Sequence, residues 1–362
     1  MLSIQPTTPG LPASAAKETA PLRCAAGIAI LPRVGSTLTW AHRWDHVLAR
    51  CAVNRTGHRV EPGLYALHEP DASSPVFVTA NYSLSFDALR SALDGIDGYI
   101  LVLDTQGINV WCAAGKGTFG TQELVTRIEA TALKQVVDHR RLILPQLGAP
   151  GVAAHEVKRR SGFTVEYGPV RAADLPAYLV DHLATPEMRQ VTFHLRDRLL
   201  LIPVEVVHVL LPMVLFSVVL FLLGGWLPAA AAASAILAGV VLFPILLPWL
   251  PAHDFSGKGF ILGAMVALPF ALAAVLLPGL PAGMVGNTGV PWGRLALGGL
   301  GYVLAMPPVT AFLALNFTGS TPSTSRSGVR REILAYIPIM AWMFGAGVVL
   351  IAALAVIRVL GG

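Results

Sequence analysis

The sequence predicts two architectures in one chain: an α/β domain with an open, parallel, Rossmann-like sheet, followed by an all-α domain of five transmembrane helices. Three observations predict this. The 362 residues hold 26 Lys and Arg and 21 Asp and Glu, yet from Glu205 onward only nine of these occur: Glu205, Asp254, Lys258, Arg294, Arg326, Arg330, Arg331, Glu332 and Arg358. Apolar runs of about 20 residues, the length of a bilayer span, recur five times in that second part. In the first part, short β-rich runs alternate with helical spacing, the signature of a parallel sheet with crossover helices.

Composition sets the outer limits. Hydrophobic residues make up 54% of the chain and charged residues 13%, with mean hydropathy +0.63. Soluble domains carry about 25% charged residues. A wholly soluble protein, a disordered chain and a nucleic-acid binder built on basic patches are excluded. Three cysteines, Cys24, Cys51 and Cys112, make no disulfide framework, and no CxxC is present for zinc or an iron–sulfur cluster. Residues 1–23 lack an apolar run behind a basic start, so they read as a loose tail and not as a secretory signal. The expected divisions are a tail over 1–35, a cytoplasmic ligand-binding domain over 36–198 and a transmembrane domain over 199–362.

The elements of the first domain follow in order. Val76–Ala80 is a short strand run. Residues 85–93 have helical spacing, with Phe86, Leu89 and Leu93 on one face. Residues 99–103 form a second strand, and 121–137 one long amphipathic helix with Leu124, Ile128, Leu133 and Val136 inward. A third strand covers 142–144. A helix over 152–160 stops at Gly162, a fourth strand covers 163–167, and a last helix spans 174–182. Open parallel sheets bind ligands beyond the carboxyl ends of their strands. The segments expected there are VTANYSLS, DTQGINVWCAAGKGT and LPQLGAPG. They are poor in charge and rich in small residues, which points to one large, mostly uncharged ligand.

The five spans are expected near 202–226, 228–250, 260–280, 295–315 and 333–360, with kinks at Pro244, Pro248 and Pro269. Lys258, Arg326, Arg330 and Arg331 would share a side with the first domain, against Arg294 and Arg358 opposite. The positive-inside rule then places the first domain in the cytoplasm and the protein in the cytoplasmic membrane. The central parts of the spans lack ionisable groups, so an anchor is expected more than a transport path. The polar stretch 316–332 reads either as a connector or as a docking surface.

Chemistry concentrates in GINVWCAAGKG, residues 107–117. Asn109 is a good N-cap, residues 110–115 can form a short helix, and Gly117 can end it. Cys112 stands in the first turn, where the helix dipole favours a thiolate, beside the small Ala113 and Ala114. Such a thiol suits a metal centre or a nucleophile, although no His or acid lies at a nucleophile-motif distance. A buried core thiol is the plain alternative. A phosphate loop is excluded, because Val110 and Gly117 stand where Gly and Ser or Thr are needed. Trp111 is expected behind this helix. Lys116 faces solvent or a ligand amide. Cys24 and Cys51 are incidental thiols, and His42, His46 and His58 surface positions.

NVWCAAGK, residues 109–116, resembles the cap-helix signature of the corrinoid proteins of microbial mercury methylation, the HgcA type. The resemblance extends through VTANYSLSFDALR, LVLDTQGINVWCAAGKGTFGT, LILPQLGAPGVAAHEVKRRSGF and YGPVRAADLP. That first domain also resembles the corrinoid-binding domain of the corrinoid iron–sulfur protein large subunit. The resemblance implies a cobalamin-type corrinoid held base-off, with Cys112 as its lower axial cobalt ligand. The implied corrinoid contacts are Thr79 and Ala80 on one loop. They continue with Asn109, Val110, Trp111, Ala113, Ala114, Gly115 and Lys116 on the cap helix. On the third segment they are Gln146, Gly148, Ala149, Pro150 and Gly151. The D-x-H-x-x-G motif that supplies a His ligand elsewhere is missing, in keeping with Cys as its replacement.

The implied function is a membrane-anchored methyltransferase that passes a methyl group to Hg(II). Implied partners are a methyl-tetrahydrofolate-dependent donor, a ferredoxin-like two-[4Fe–4S] electron donor and membrane lipid, with no nucleic acid. Two other readings stay open: a corrinoid methyl carrier of one-carbon metabolism, and a non-enzymatic membrane ligand sensor or transporter.

Overall fold

The computed structural model describes residues 19–24, 27–54, 57–276, 292–319 and 326–360. The chain divides into two units between Val191 and Thr192.

The first unit is built on a seven-stranded sheet. Its strands are β1 (Thr19–Cys24), β2 (Gly27–Val34), β3 (Gly63–Leu67), β4 (Val76–Ala80), β5 (Gly98–Leu103), β6 (Arg141–Leu144) and β7 (Thr164–Tyr167). Their order is β1-β2-β3-β5-β4-β6-β7. The right-hand four, β5-β4-β6-β7, run parallel, with Phe77 opposite both Ile100 and Ile143. The central pair, β4 and β5, are near-continuous apolar runs because both of their faces are covered. Val76, Val78, Ala80, Leu101 and Leu103 pack on one face, and Phe77, Ile100 and Val102 on the other.

The expected parallel sheet is therefore only part of a mixed one. β3 runs antiparallel to β5, and β1 antiparallel to β2. β1 and β2 lie where the sequence suggested a loose tail; residues 1–18 and 25–26 are outside the described residues. Pro32 hid β2, since proline argues against a strand, and the Gly and Ala of GLYAL hid β3.

The helices of this unit are α1 (Trp40–Arg50), α2 (Ser83–Ala92), α3 (Val110–Lys116), α4 (Thr121–Ala130), α5 (Leu133–Val136), α6 (Ala154–Ser161) and α7 (Leu175–Asp181). The helix expected over 121–137 breaks in two, because Ala132 takes a left-handed conformation with φ 48°. α6 ends where expected, at Gly162 with φ 78°. A short helix α8 (Pro186–Arg189) closes the unit.

α1 was unforeseen. Its N-cap pairs Thr39 with His42, whose Nδ1 accepts the Thr39 N–H, in place of the usual Glu or Gln. A polar network binds it to α2. Asp87 accepts from His46 Nε2 and from Arg90 Nε, each at 2.7 Å, and Arg90 also donates to the carbonyls of Gly35 and Thr37. Both ring nitrogens of His58 face oxygens, Asp45 Oδ1 at 2.6 Å and the Val53 carbonyl at 2.7 Å. His58 is buried and His46 nearly so, which corrects their expected surface placement. Irregular spacing in sequence is no guide when the partners lie on another helix.

The second unit opens with α9 (Leu195–Leu199), followed by α10 (Ile202–Gly224), α11 (Trp226–Leu237), α12 (Phe243–Leu246), α13 (Phe255–Leu276), α14 (Trp292–Asn316) and α15 (Arg326–Leu360). Five stretches are long and apolar enough to cross a membrane: Leu195–Gly224, Trp226–Leu246, Phe255–Val275, Ala296–Gly319 and Ser327–Ile357. Trp226 opens the second instead of closing the first, because Gly225 takes φ 81° between them. The expected third span reaches residues 277–280, which lie outside the described residues. Of the stretch 316–332, residues 320–325 are likewise outside, and from Arg326 it is already helical.

Proline shapes the second helix as backbone chemistry requires. Pro244 offers no N–H to the preceding turn, and residues 238–242 there widen into a π-helix. Pro248 lies past the end of α12, so it terminates the helix instead of kinking it. It also leaves the Pro244 carbonyl without a helical donor, and Arg198 donates to it at 2.8 Å and to the Ile245 carbonyl at 2.7 Å.

Close packing of these helices uses small residues. A Cβ added at Gly263 of α13 would stand 2.6 Å from the Cα of Pro307 on α14. Gly263→Leu is therefore expected to cost roughly 1–3 kcal/mol by overpacking, read as a lower thermal midpoint of the detergent-solubilised chain.

Candidate functional site

Strand order fixes where a site can form. β4 pairs with β5 on one side and β6 on the other, so the connections leaving β4 and β5 run in opposite directions. A crevice opens at such a switch point, beyond the carboxyl ends of the strands. Here it holds a cavity of about 320 Å³. Phe77, Val78 and Thr79 of β4 line it, with Ile143, Leu144 and Pro145 at the end of β6, Leu147 beyond, and Asn109, Val110 and Trp111 at the start of α3. The walls are mostly apolar.

α3 forms for local reasons. Asn109 is extended at φ −62°, ψ 160°, and its Oδ1 accepts the backbone N–H of Cys112 at 2.9 Å. Gly117, at φ 85°, ends the helix in the left-handed conformation that glycine adopts freely. Loss of the cap in Asn109→Ala is expected to destabilise this segment by about 1 kcal/mol, measured as faster local amide exchange over α3.

Helical periodicity then divides the signature. Val110, Ala113 and Ala114 are buried, packed with Ala80 in the core below. Trp111, Cys112, Gly115 and Lys116 are exposed. Trp111 lines the cavity and is 38% exposed, so it does not sit behind the helix as expected. The Cys112 thiol is free and faces outward, which removes the core-thiol alternative. Gly115 follows three residues on, and nothing lies within 4 Å of where its Cβ would be. The thiol thus has a flat flank beside it.

The segment after β6 splits in the same way. Gly148 and Gly151 are packing positions. A Cβ at Gly148 would strike the Phe119 ring, and one at Gly151 would meet the Phe119 carbonyl and stand 3.0 Å from the Cα of Ala114. Ala149 is half-buried and Pro150 exposed. Tyr167 pins this segment by donating to the Val152 carbonyl at 2.5 Å, and burial pushes its phenol pKa up, so it stays a donor. Gln146 differs from its neighbours: its Oε1 is buried and has no hydrogen-bond partner.

The structure brings Thr79, Asn109, Val110 and Trp111 to one cavity and Cys112, Gly115 and Lys116 to one face. Ala80, Ala113, Ala114, Gly148 and Gly151 support that arrangement from within. Ser85, from the expected VTANYSLS segment, also lines the cavity; Ala88, Leu89, Pro169 and Val170 do so too and were not anticipated, since they come from outside the three expected segments. Asn81 and Thr105, at 3% and 0% exposure, fall inside expected segments but were not singled out. An amide directly after β4 and a hydroxyl two residues after β5 were the available signal. Cys51 is half-buried at the end of α1, and the Cys24 side chain is outside the described residues. Among the described residues, no group of three or more His, Cys, Asp and Glu could hold a metal ion.

Known proteins match this unit. The family described as CO dehydrogenase/acetyl-CoA synthase delta subunit (CdhD) matches residues 51–179. The acetyl-CoA decarbonylase/synthase complex subunit gamma of Archaeoglobus fulgidus is 35% identical over 127 residues, 34% of this chain and 27% of that protein. The subunit gamma of Methanopyrus kandleri is 34% identical over the same length, with the same coverage. The corrinoid/iron-sulfur protein large subunit of Moorella thermoacetica is 30% identical over 129 residues, 35% of this chain and 28% of that protein. The chain spans little more than a quarter of the length of these relatives.

Proposed function

We propose that this chain is a corrinoid-dependent methyl-transfer protein, that its five apolar helices hold it in the cytoplasmic membrane with the first unit on the cytoplasmic side, and that its acceptor is Hg(II). The observation that carries the corrinoid reading is the free, outward-facing Cys112 thiol on a capped helix beside the switch-point crevice, inside residues 51–179 matched by the CdhD family, in a chain that is also 30% identical over 129 residues to a corrinoid/iron-sulfur protein.

The residues fit the group. A cavity of about 320 Å³ cannot take a corrin macrocycle but can take an appended base, as a base-off form requires. The flat flank at Gly115 suits a macrocycle lying across the outer face of α3. The unpartnered Oε1 of Gln146 is an acceptor awaiting a donor, and a corrinoid rim is edged with primary amides. Cys112 would be the lower ligand, with Thr79 and residues 109–116 and 146–151 around it. When bound, the corrinoid supplies a cobalt centre that takes up a methyl group and hands it on.

The chain's own residues set how that happens. A thiolate at Cys112 would offer a bound metal a softer donor than imidazole. With such a donor the bound group would supply a methyl group suited to a soft electrophile such as Hg(II). Asn109 and Gly117 bound α3, and Val110, Ala113 and Ala114 anchor it on the core, so the thiol would be held on its outer face. Trp111 shields the apolar cavity from water. The three cysteines are widely separated and lack a cluster-binding spacing, so reducing electrons would come from a separate ferredoxin-like protein, and the methyl group from a methyl-tetrahydrofolate-dependent donor.

A second reading, a methyl carrier of one-carbon metabolism, has the more direct support from the relatives above, two of which are named for acetyl-CoA decarbonylase/synthase, whereas none is named for mercury. The test uses the full chain in detergent, reconstituted with cobalamin. Thiolate-to-cobalt absorption is expected, and the methyl-loaded protein should yield methylmercury from Hg(II). Transfer only to a carbon or thiol acceptor would favour the second reading. Failure to take up any corrinoid would favour a sensor or transporter.

A further inference from the structure

We infer that Asn81 is a positioning residue for the Cys112 thiol; this rests on the proposed role of Cys112. Asn81 directly follows β4. Its backbone is held on both sides, the N–H donating to the Leu103 carbonyl at 3.0 Å and the carbonyl accepting from Val60 at 2.9 Å. Its side chain therefore starts from a fixed point at the carboxyl end of the sheet.

From there its Oδ1 reaches the turn between β5 and α3. It accepts the N–H of Thr105 at 3.0 Å and the N–H of Gly107 at 2.9 Å, and it lies 2.9 Å from the Thr105 hydroxyl. That hydroxyl is also 2.7 Å from the Ile108 carbonyl and has one proton to give. The Asn81 amide donates to Asp104 Oδ1 at 3.2 Å, which in turn accepts the Gln106 N–H at 3.0 Å. One buried side chain thus binds both ends of the turn.

The turn needs that hold. Gln106 and Gly107 take φ of 60° and 73°, so two consecutive residues are left-handed and one of them is not glycine. A non-glycine side chain disfavours this conformation. Backbone N–H groups converging on one acceptor are what keep it. Gly107 lies two residues before the Asn109 cap and five before Cys112, so the turn's conformation fixes where α3 starts and which way the thiol faces. Asn81 touches neither the thiol nor the cavity; it acts through Thr105 and Gly107.

The test compares the full chain with Asn81→Ala and with the double exchange Asn81→Asp plus Asp104→Asn. The double exchange keeps an oxygen acceptor for the Thr105 and Gly107 N–H groups and an amide donor between the two side chains, while that amide takes the place of the oxygen that accepts the Gln106 N–H. In the cofactor-free protein, Asn81→Ala is expected to speed amide exchange over residues 105–112 on the order of tenfold or more, while β6 and β7 stay unchanged. The double exchange should restore protection at Thr105 and Gly107, with Gln106 remaining fast. With cobalamin bound, Asn81→Ala should lose the thiolate-to-cobalt absorption and the double exchange should regain it.

Exchange over 105–112 within about twofold of wild type would overturn the inference. So would an equal rise across the whole sheet, which marks a merely structural role, or a folded double exchange that restores nothing. If the wild-type chain itself lacks thiolate-to-cobalt absorption, the cofactor reading fails instead, and the exchange measurements still decide the role of Asn81.

Discussion

Cys112→Ala is expected to leave the fold intact and to reduce methyl transfer on the order of 10³-fold or more, as removal of a reacting group does. The fold should survive because the side chain is exposed and the hydrogen bond at this position, from its backbone N–H to Asn109, is one that alanine keeps. Corrinoid uptake should also survive, since the cavity and the remainder of α3 are unchanged. The absorption of a sulfur-ligated cobalt should vanish at the same time. Cys112→His should bind the cofactor and transfer poorly, because imidazole is the weaker donor. Transfer at the wild-type rate in either variant would mean that the sulfur is not the ligand.

Asp87→Ala is expected to lower the stability of the first unit by roughly 3–5 kcal/mol, the usual result of stripping one partner from a buried ion pair. Asp87 is 4% exposed, and its two oxygens hold His46 and Arg90. The thermal midpoint should drop on the order of 10 °C, followed by circular dichroism. Methyl transfer at low temperature should be little changed, since no atom of this network lines the cavity.

The same carboxylate makes stability depend on pH. Burial pushes its pKa up, but the hydrogen bond from His46 and the charge and hydrogen bond of Arg90 outweigh burial and hold it below the usual carboxylate value. A group depressed on folding contributes fully above its unfolded pKa, about 3.9, and loses that contribution as pH falls through the lower folded value. Wild-type stability should therefore decline steeply below about pH 4, and Asp87→Ala should flatten that decline.

The sequence made the central strands legible because residues buried on both faces leave an unbroken apolar run, as in VFVTA. It made α3 legible because both of its ends carry a capping residue in the side-chain or backbone form that caps require. β2 and β3 stayed hidden behind a proline and small residues, which suit positions toward the sheet edge but read as loop. The break at Ala132 was hidden too, since alanine is a strong helix former and only tertiary packing puts it at positive φ. At the site, Cys112 and Asn109 could be read from one contiguous motif. Trp111 could not be oriented, because the adjacent cavity is built from β4, β6 and the segment at Pro169. The hold of Asn81 on Thr105 and Gly107 joins residues more than 20 positions apart, and no local periodicity reports it.

α15 has 35 residues, which at 1.5 Å per residue makes a rod of about 52 Å. The hydrocarbon layer of a bilayer is about 30 Å thick. In a membrane, even a tilted α15 would overhang, and the end bearing Arg326, Arg330 and Arg331 is the one suited to water and anionic headgroups. The chain's last helix would then stand as a cationic stalk above the lipid surface.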